Sequence, residues 1–266
     1  MMLKNFLQMI LLVKIMIYKK EATRLFTGAL FILSLWFLLS QVINKSFLPN
    51  PFGTFSYLTE NFIAKKIYYD FLISFRRIIV SLLLSFLIAF PLGIISGVNK
   101  KVDNILSPII YFFYPLPKIV FLPLFFVFFG INEVTRVILI IFILVFQIIV
   151  GVRDNVKNID PEYIELFQTL GAKPLDYLKI YIPFAAPGAF SSIRISTGMA
   201  IAVLFITENF IADRGLGYLI LNAMELRNYF EMYSGIILMS FLGYLFYFLI
   251  DYLEIKVCFW QKSMLL

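Results

Sequence analysis

Six long apolar stretches with few charges divide this chain, and no other feature limits its fold so strongly: 25–43, 77–97, 107–129, 134–150, 187–210 and 234–255. A helix needs about 20 apolar residues to cross a bilayer, whereas a barrel strand needs about half that. Inside hydrocarbon every backbone N–H and C=O must be satisfied within the protein, so runs of this length are read as spanning helices. With 61% hydrophobic residues overall, an ordinary soluble domain is excluded. The expected fold class is an all-α polytopic membrane protein, with a lead-in at 1–24 and a single membrane domain over 25–266. The lead-in is apolar but broken by Lys4, Lys14, Lys19 and Lys20, and no small-residue cleavage site follows it. We read it as interfacial or cytoplasmic.

The third stretch carries Pro108, Pro115, Pro117 and Pro123. A helix there must break or kink, because proline lacks the N–H and its ring collides with the preceding turn. The longest run that is not mainly apolar is 160–183, DPEYIELFQTLGAKPLDYLKIYIP. Asp160-Pro161-Glu162 is a helix start: the aspartate caps, proline suits the first turn, and the acids suit the positive end of the helix dipole. Gly171 ends that helix and Lys173-Pro174 begins another. Ile164, Phe167 and Leu170 share one helical face.

Charge sets the expected orientation. With the first residues inside, the inner segments hold Lys4, Lys14, Lys19, Lys20 and Arg24, then Lys100 and Lys101, then Arg153, Lys157, Lys173 and Lys179, and finally Lys256 and Lys262. The outer loops clearly hold fewer basic residues: Lys45, Lys65, Lys66, Arg214 and Arg227. Both termini are therefore expected in the cytoplasm, with the 160–183 hairpin. The net charge of +7 reflects these loops rather than nucleic-acid binding. There is no histidine and one cysteine, Cys258. The commonest metal ligand and proton shuttle is thus missing, and neither catalytic nor metal-ligating residues are assigned. A Gly-rich phosphate loop ending in Lys-Ser/Thr is also missing, so no nucleotide site is expected on this chain.

Within the spans, Ser192, Ser196 and Thr197 make the fifth stretch small and polar. They either line a solute path or allow close helix packing. Lys118 stands in the proline-rich third stretch. A charge there is costly and points to function, to snorkelling, or to an acidic partner. Glu208, near the outer end of its stretch, is expected ~15 Å from Lys118 along the helix axis. Arg76 and Arg77 are read as interfacial anchors, and Asp251 and Glu254 as partners of basic residues in the tail.

Several segments together resemble the permease subunits of ATP-binding-cassette importers, most closely the nitrate/sulfonate/taurine type. Glu165 and Gly171 have the spacing of that family's cytoplasmic Glu-Ala-Ala loop, and the apolar end at 180–183 closes on Pro183. Leu166 and Phe167 stand where the family has two alanines. Ser74, Arg77 and PLGIISG (91–97) resemble its second span; Pro117, Pro123 and FGINE (129–133) its third; Glu208 and GLGYLI (215–220) the segment after its fifth. The resemblance covers about residue 71 to the end. It implies a type I importer permease fold of six transmembrane helices with a coupling loop at about 152–183. It also implies two permease subunits, by family habit identical, with two cytoplasmic ATPase subunits and an extracytoplasmic solute-binding protein. ATP would be bound by the partner ATPase, and the chain itself would hold no cofactor. The solute would be a small anion such as a sulfonate, taurine or nitrate, or a vitamin precursor. Glu165, Leu166, Phe167, Gly171, Ala172 and Pro183 would form the ATPase contact, with Phe167 inserted in a groove. Lys118, Ser192, Ser196, Thr197 and Glu208 are candidate pathway residues. An ATP-independent secondary transporter or channel is the alternative.

Overall fold

The computed structural model describes residues 27–211 and 213–260. The lead-in at 1–24 and Lys262 in the tail lie outside them. The fold is all helical. Among the described residues ten α-helices follow one another: α1 (Thr27–Ile43), α2 (Pro51–Ile63), α3 (Tyr68–Val98), α4 (Lys100–Phe113), α5 (Leu122–Phe129), α6 (Glu133–Lys157), α7 (Pro161–Thr169), α8 (Leu178–Ile211), α9 (Leu216–Glu225) and α10 (Tyr229–Val257). Short 3₁₀ turns at Lys118–Phe121 and Pro174–Tyr177 precede α5 and α8.

Four of the apolar stretches, 77–97, 134–150, 187–210 and 234–255, fall within helices that outrun them. By length and composition four are able to cross a membrane: Tyr68–Val98, Glu133–Lys157, Pro174–Phe210 and Tyr229–Val257. The proline-rich stretch becomes α4 and the Lys118–Phe129 segment, set at 90° to each other, and counts as a fifth span if the bent pair is taken as one. α1 is apolar but shorter. Pro108 lies inside α4, whereas Pro115 and Pro117 occupy the break and Pro123 sits in the first turn of α5. The sharp bend thus falls where two prolines come within three residues. A single proline, as at 91 in α3, is absorbed by a helix that continues past it.

α6 is the central element, packed between α3 and α8. Both contacts are built on small residues. On α3, Gly93 and Gly97 stand one turn apart against Val152 and Val156 of α6; an added Cβ would come within 2.6 Å and 2.7 Å of those side chains. On the other face, Gly151 of α6 meets Gly188 and Ser192 of α8. A Cβ on Gly151 would overlap the Ser192 hydroxyl and lie 2.7 Å from the Gly188 carbonyl oxygen. With lipid as apolar as leucine, such close approach and its van der Waals contact hold helices together. Pro183 and Pro187 lie within α8, which continues from the hairpin to the opposite end of the molecule over 34 residues, ~51 Å at 1.5 Å per residue. At that opposite end, α1 is tied down by Trp36, whose indole donates to the Pro49 carbonyl at 3.0 Å and stacks on Tyr233 of α10.

Candidate functional site

The hairpin between α6 and α8 forms as its residues dictate. Asp160 is the N-cap of α7 and accepts from the Glu162 amide at 3.0 Å, with Pro161 in the first turn. The other end is a Schellman closure: Gly171 N–H donates to Gln168 O and Ala172 N–H to Phe167 O, both at 3.0 Å. Gly171 has φ +69°, the left-handed region, with nothing within 4 Å of a would-be Cβ. Glycine is required there for backbone reasons alone. Gly171→Ala is therefore expected to cost about 1 kcal/mol without a clash, readable as a small drop in thermal stability. Asp176 then accepts from the Lys173 amide at 3.0 Å and the Lys179 ammonium at 2.8 Å, which fixes the 3₁₀ turn that enters α8.

No residue of α7 is buried. Ile164 is half-buried against the core, Tyr163 approaches Phe184 at 5.5 Å, and Phe167 approaches Tyr177 at 6.0 Å. Phe167, expected to enter a partner's groove, is half-buried against Tyr177 of the 3₁₀ turn that precedes α8. Leu166 and Leu170, one turn apart, stand outward at 53% and 74% exposure. Leu170 leaves the face it shares in sequence with Ile164 and Phe167 because the helix ends there. Glu165 is exposed and makes no ion pair or hydrogen bond among the described residues. Ala172 and Pro183 are half-buried, the latter inside α8.

The candidate pathway residues separate. Ser192 packs on Gly151, so the close-packing reading accounts for it. Ser196 is fully buried. Thr197, only 2% exposed, donates to Ile193 O at 2.8 Å and borders a cavity of about 400 Å³ between α8 and α10. Lys118 is buried where α4 and α5 diverge. Its ammonium reaches Tyr114 O at 3.4 Å and lies 5.9 Å and 5.6 Å from the rings of Tyr114 and Phe146, with no carboxylate paired to it among the described residues. Cation–π attraction partly replaces its lost hydration.

Glu208 does not join them. It is completely buried at the far end of α8 and accepts from Arg77 Nη1 at 2.7 Å, from the Ser74 hydroxyl at 2.7 Å and from the Gly217 amide at 2.8 Å. Arg77 is no interfacial anchor: it is 2% exposed, paired also to Glu133 of α6, and donates to Arg214 O at 2.9 Å. Arg136 completes the charge balance by donating to Glu133 at 2.7 Å. Ser74 accepts from the Leu216 amide at 2.9 Å, and Asp70 from the Gly215 amide at 2.8 Å. Side chains from α3 and α8 thus cap the first turn of α9, where the amide groups would otherwise lack partners. Gly215, at φ +124°, leaves room for this, since a Cβ would fall 2.6 Å from Glu208 Oε1. A second ion-pair cluster went unseen in the sequence. Arg194 of α8 pairs with Asp251 at 3.1 Å and with Glu254, both from α10. The two acids, expected to pair with basic residues in the tail, are met by Arg194 across the bundle, while Lys262 of the tail lies outside the described residues; their spacing on one face, three residues apart, was the available signal.

Residues 89–257 match the family described as binding-protein-dependent transport system inner membrane component. A protein of Methanocaldococcus jannaschii provisionally named an ABC transporter permease is 30% identical over 73% of this chain and 73% of its own length. The taurine transport system permease protein of Escherichia coli is 28% identical over 80% of this chain and 81% of its own. Among solved structures, an inward-facing form of the MetNI methionine ABC transporter superposes with a TM-score of 0.62 at 21% identity, covering 73% of this chain and 97% of that one, which is a likeness of fold.

Proposed function

The chain belongs to the family of binding-protein-dependent transport system inner membrane components, and on that premise we propose how its parts divide the work of an ATP-binding-cassette importer. Family membership makes it a membrane permease subunit that works with ATPase and binding-protein partners. The finer reading is as follows. Residues 25–266 form the permease domain and 1–24 a separate lead-in. The hairpin and both termini face the cytoplasm, and two copies of the chain pair around the solute path. Two ATPase subunits bind ATP and dock on the hairpins, so the chain itself carries no nucleotide and no cofactor. The solute is a small oxyanion such as a sulfonate, taurine or nitrate, a choice supported by similarity to the taurine permease and by the unpaired ammonium of Lys118. A vitamin precursor is the other class consistent with the resemblance.

The observation that carries the docking assignment is the pair Leu166 and Leu170. They are large apolar side chains held outward on a helix with no buried residue, and the capped hairpin leads without interruption into α8. Exposed apolar surface set in a polar rim marks a protein interaction site. Closure of the ATPases would displace α7, and α8 would carry that displacement to Glu208 and the cap of α9. ATP binding would thereby bias the balance between inward-open and outward-open states. In Leu166→Asp/Leu170→Asp, a buried charge at each contact is expected to lower recovery of the ATPase on purification about tenfold or more and to abolish uptake, while the permease still reaches the membrane. Full recovery of the ATPase with normal uptake would overturn the assignment.

A further inference from the structure

The cavity between α8 and α10 sets polar side chains among apolar walls. Arg194, Thr197, Ser240, Tyr244 and Tyr247 line it beside Ile201, Met239 and two glycines. Arg194 lies ~10 Å inside the apolar stretch 187–210 and Tyr244 ~15 Å inside 234–255. Yet Tyr244 and Tyr247 are 56% and 50% exposed. Their hydroxyls have no hydrogen-bond partner among the described residues. Arg194 Nε is buried and also without one. A guanidinium and two tyrosine hydroxyls at such depth face water or protein, not hydrocarbon. We propose that this cavity is a solute-contact site for small oxyanions, in which Arg194 and the Tyr244 and Tyr247 hydroxyls are the donors. The inference rests on the permease reading and gives it a place and a chemistry.

The clasp on Arg194 supplies the switch. Asp251 and Glu254 hold the guanidinium from one side while its Tyr247 side, 5.8 Å from the ring, looks into the cavity. A sulfonate or carboxylate competes with those two carboxylates for the same donors, because arginine presents its N–H groups as a planar fork that fits any planar or tetrahedral oxyanion. Asp251 is 45% exposed and able to give way. With the clasp closed the site is weak; shifting α8 along α10 parts the clasp and strengthens it. Affinity is thereby tied to the same helix that leaves the hairpin.

The test uses the whole complex in nanodiscs, with Cys258→Ser removing the chain's single thiol and Ser240→Cys placing one at the cavity. A neutral, water-soluble methanethiosulfonate is the label, followed on this chain by mass. Labelling is expected, because the cavity is wet. With Asp251→Asn/Glu254→Gln opening the clasp, ethanesulfonate is expected to slow labelling up to about threefold at twice its dissociation constant. Arg194→Gln should abolish that protection, and Arg194→Lys, which keeps the charge, should retain part of it. No labelling of the introduced thiol overturns the proposal, and so does protection that is missing or survives Arg194→Gln. Adding Leu166→Asp/Leu170→Asp to the Ser240→Cys background reads the docking assignment separately: full recovery of the ATPase there overturns that assignment, while the protected thiol alone decides this one.

Discussion

Replacing Arg77 by methionine is expected to lower the melting temperature of the assembled protein by roughly 10 °C, from a loss of about 3–5 kcal/mol. The substitution keeps the length and apolar stem of the side chain. It leaves Glu208, which has no exposed surface, as a buried carboxylate without its cation. It also leaves Glu133 with Arg136 alone and removes the donor to the Arg214 carbonyl. Glu208→Gln is the milder change, because the amide oxygen still accepts from the Gly217 N–H and the charge disappears from both the cost and the gain. Its effect should be less than half that of Arg77→Met. Thermal unfolding of the purified complex, followed through tryptophan fluorescence, measures both. Melting of Arg77→Met within about a degree of the parent would show that the cluster does not hold α3, α6, α8 and α9 together.

Gly151→Val is expected to abolish solute uptake and sharply reduce the amount of assembled protein. Its Cβ would lie 2.7 Å from the Gly188 carbonyl oxygen and 3.0 Å from Ser192 Cβ, besides overlapping the Ser192 hydroxyl. The hydroxyl can be removed, but the carbonyl belongs to the backbone of α8 and moves only with the helix. α6 and α8 must therefore separate, losing the dense contact on which their pairing depends. Adding Ser192→Ala should restore part of the stability of Gly151→Ala and much less of Gly151→Val. Gly28, exposed on α1 with nothing within 4 Å of a would-be Cβ, is the control: Gly28→Ala should be neutral or stabilise by up to about 1 kcal/mol. Yield and melting temperature across these variants decide the matter, and normal assembly of Gly151→Val would refute the packing argument.

The sequence reading reached the helices through apolar length and the hairpin through Asp160, Pro161 and Gly171, because caps and turns are encoded within a few residues. It also reached the break around Pro115 and Pro117, though not its 90° angle, which depends on what α5 packs against. What escaped it is non-local. Arg77 reads as an interfacial anchor until Glu133 and Glu208, 56 and 131 residues away, are folded against it. Arg194 and Asp251 are likewise distant in the chain. Phe167 reads as the protruding residue because it stands at a docking position of the loop that the chain resembles, yet Tyr177 lies beneath it and its neighbour Leu166 is left outside. In the fifth stretch the two readings of Ser192 and Thr197 could not be resolved without knowing which face meets α6.

The prolines of α8 give the long helix an uneven compliance. Proline has no N–H, so the carbonyls of Lys179 and Pro183 receive no helical donor from residues 183 and 187. Two rungs of the ladder are missing within the first turns after the hairpin, on the near side of Arg194. Beyond them the helix is intact to its far end. On the docking proposed above, a displacement applied at Leu166 would be shared between bending at this soft joint and translation of the stiffer remainder of α8, so the direction in which the hairpin is pushed would matter as much as the distance.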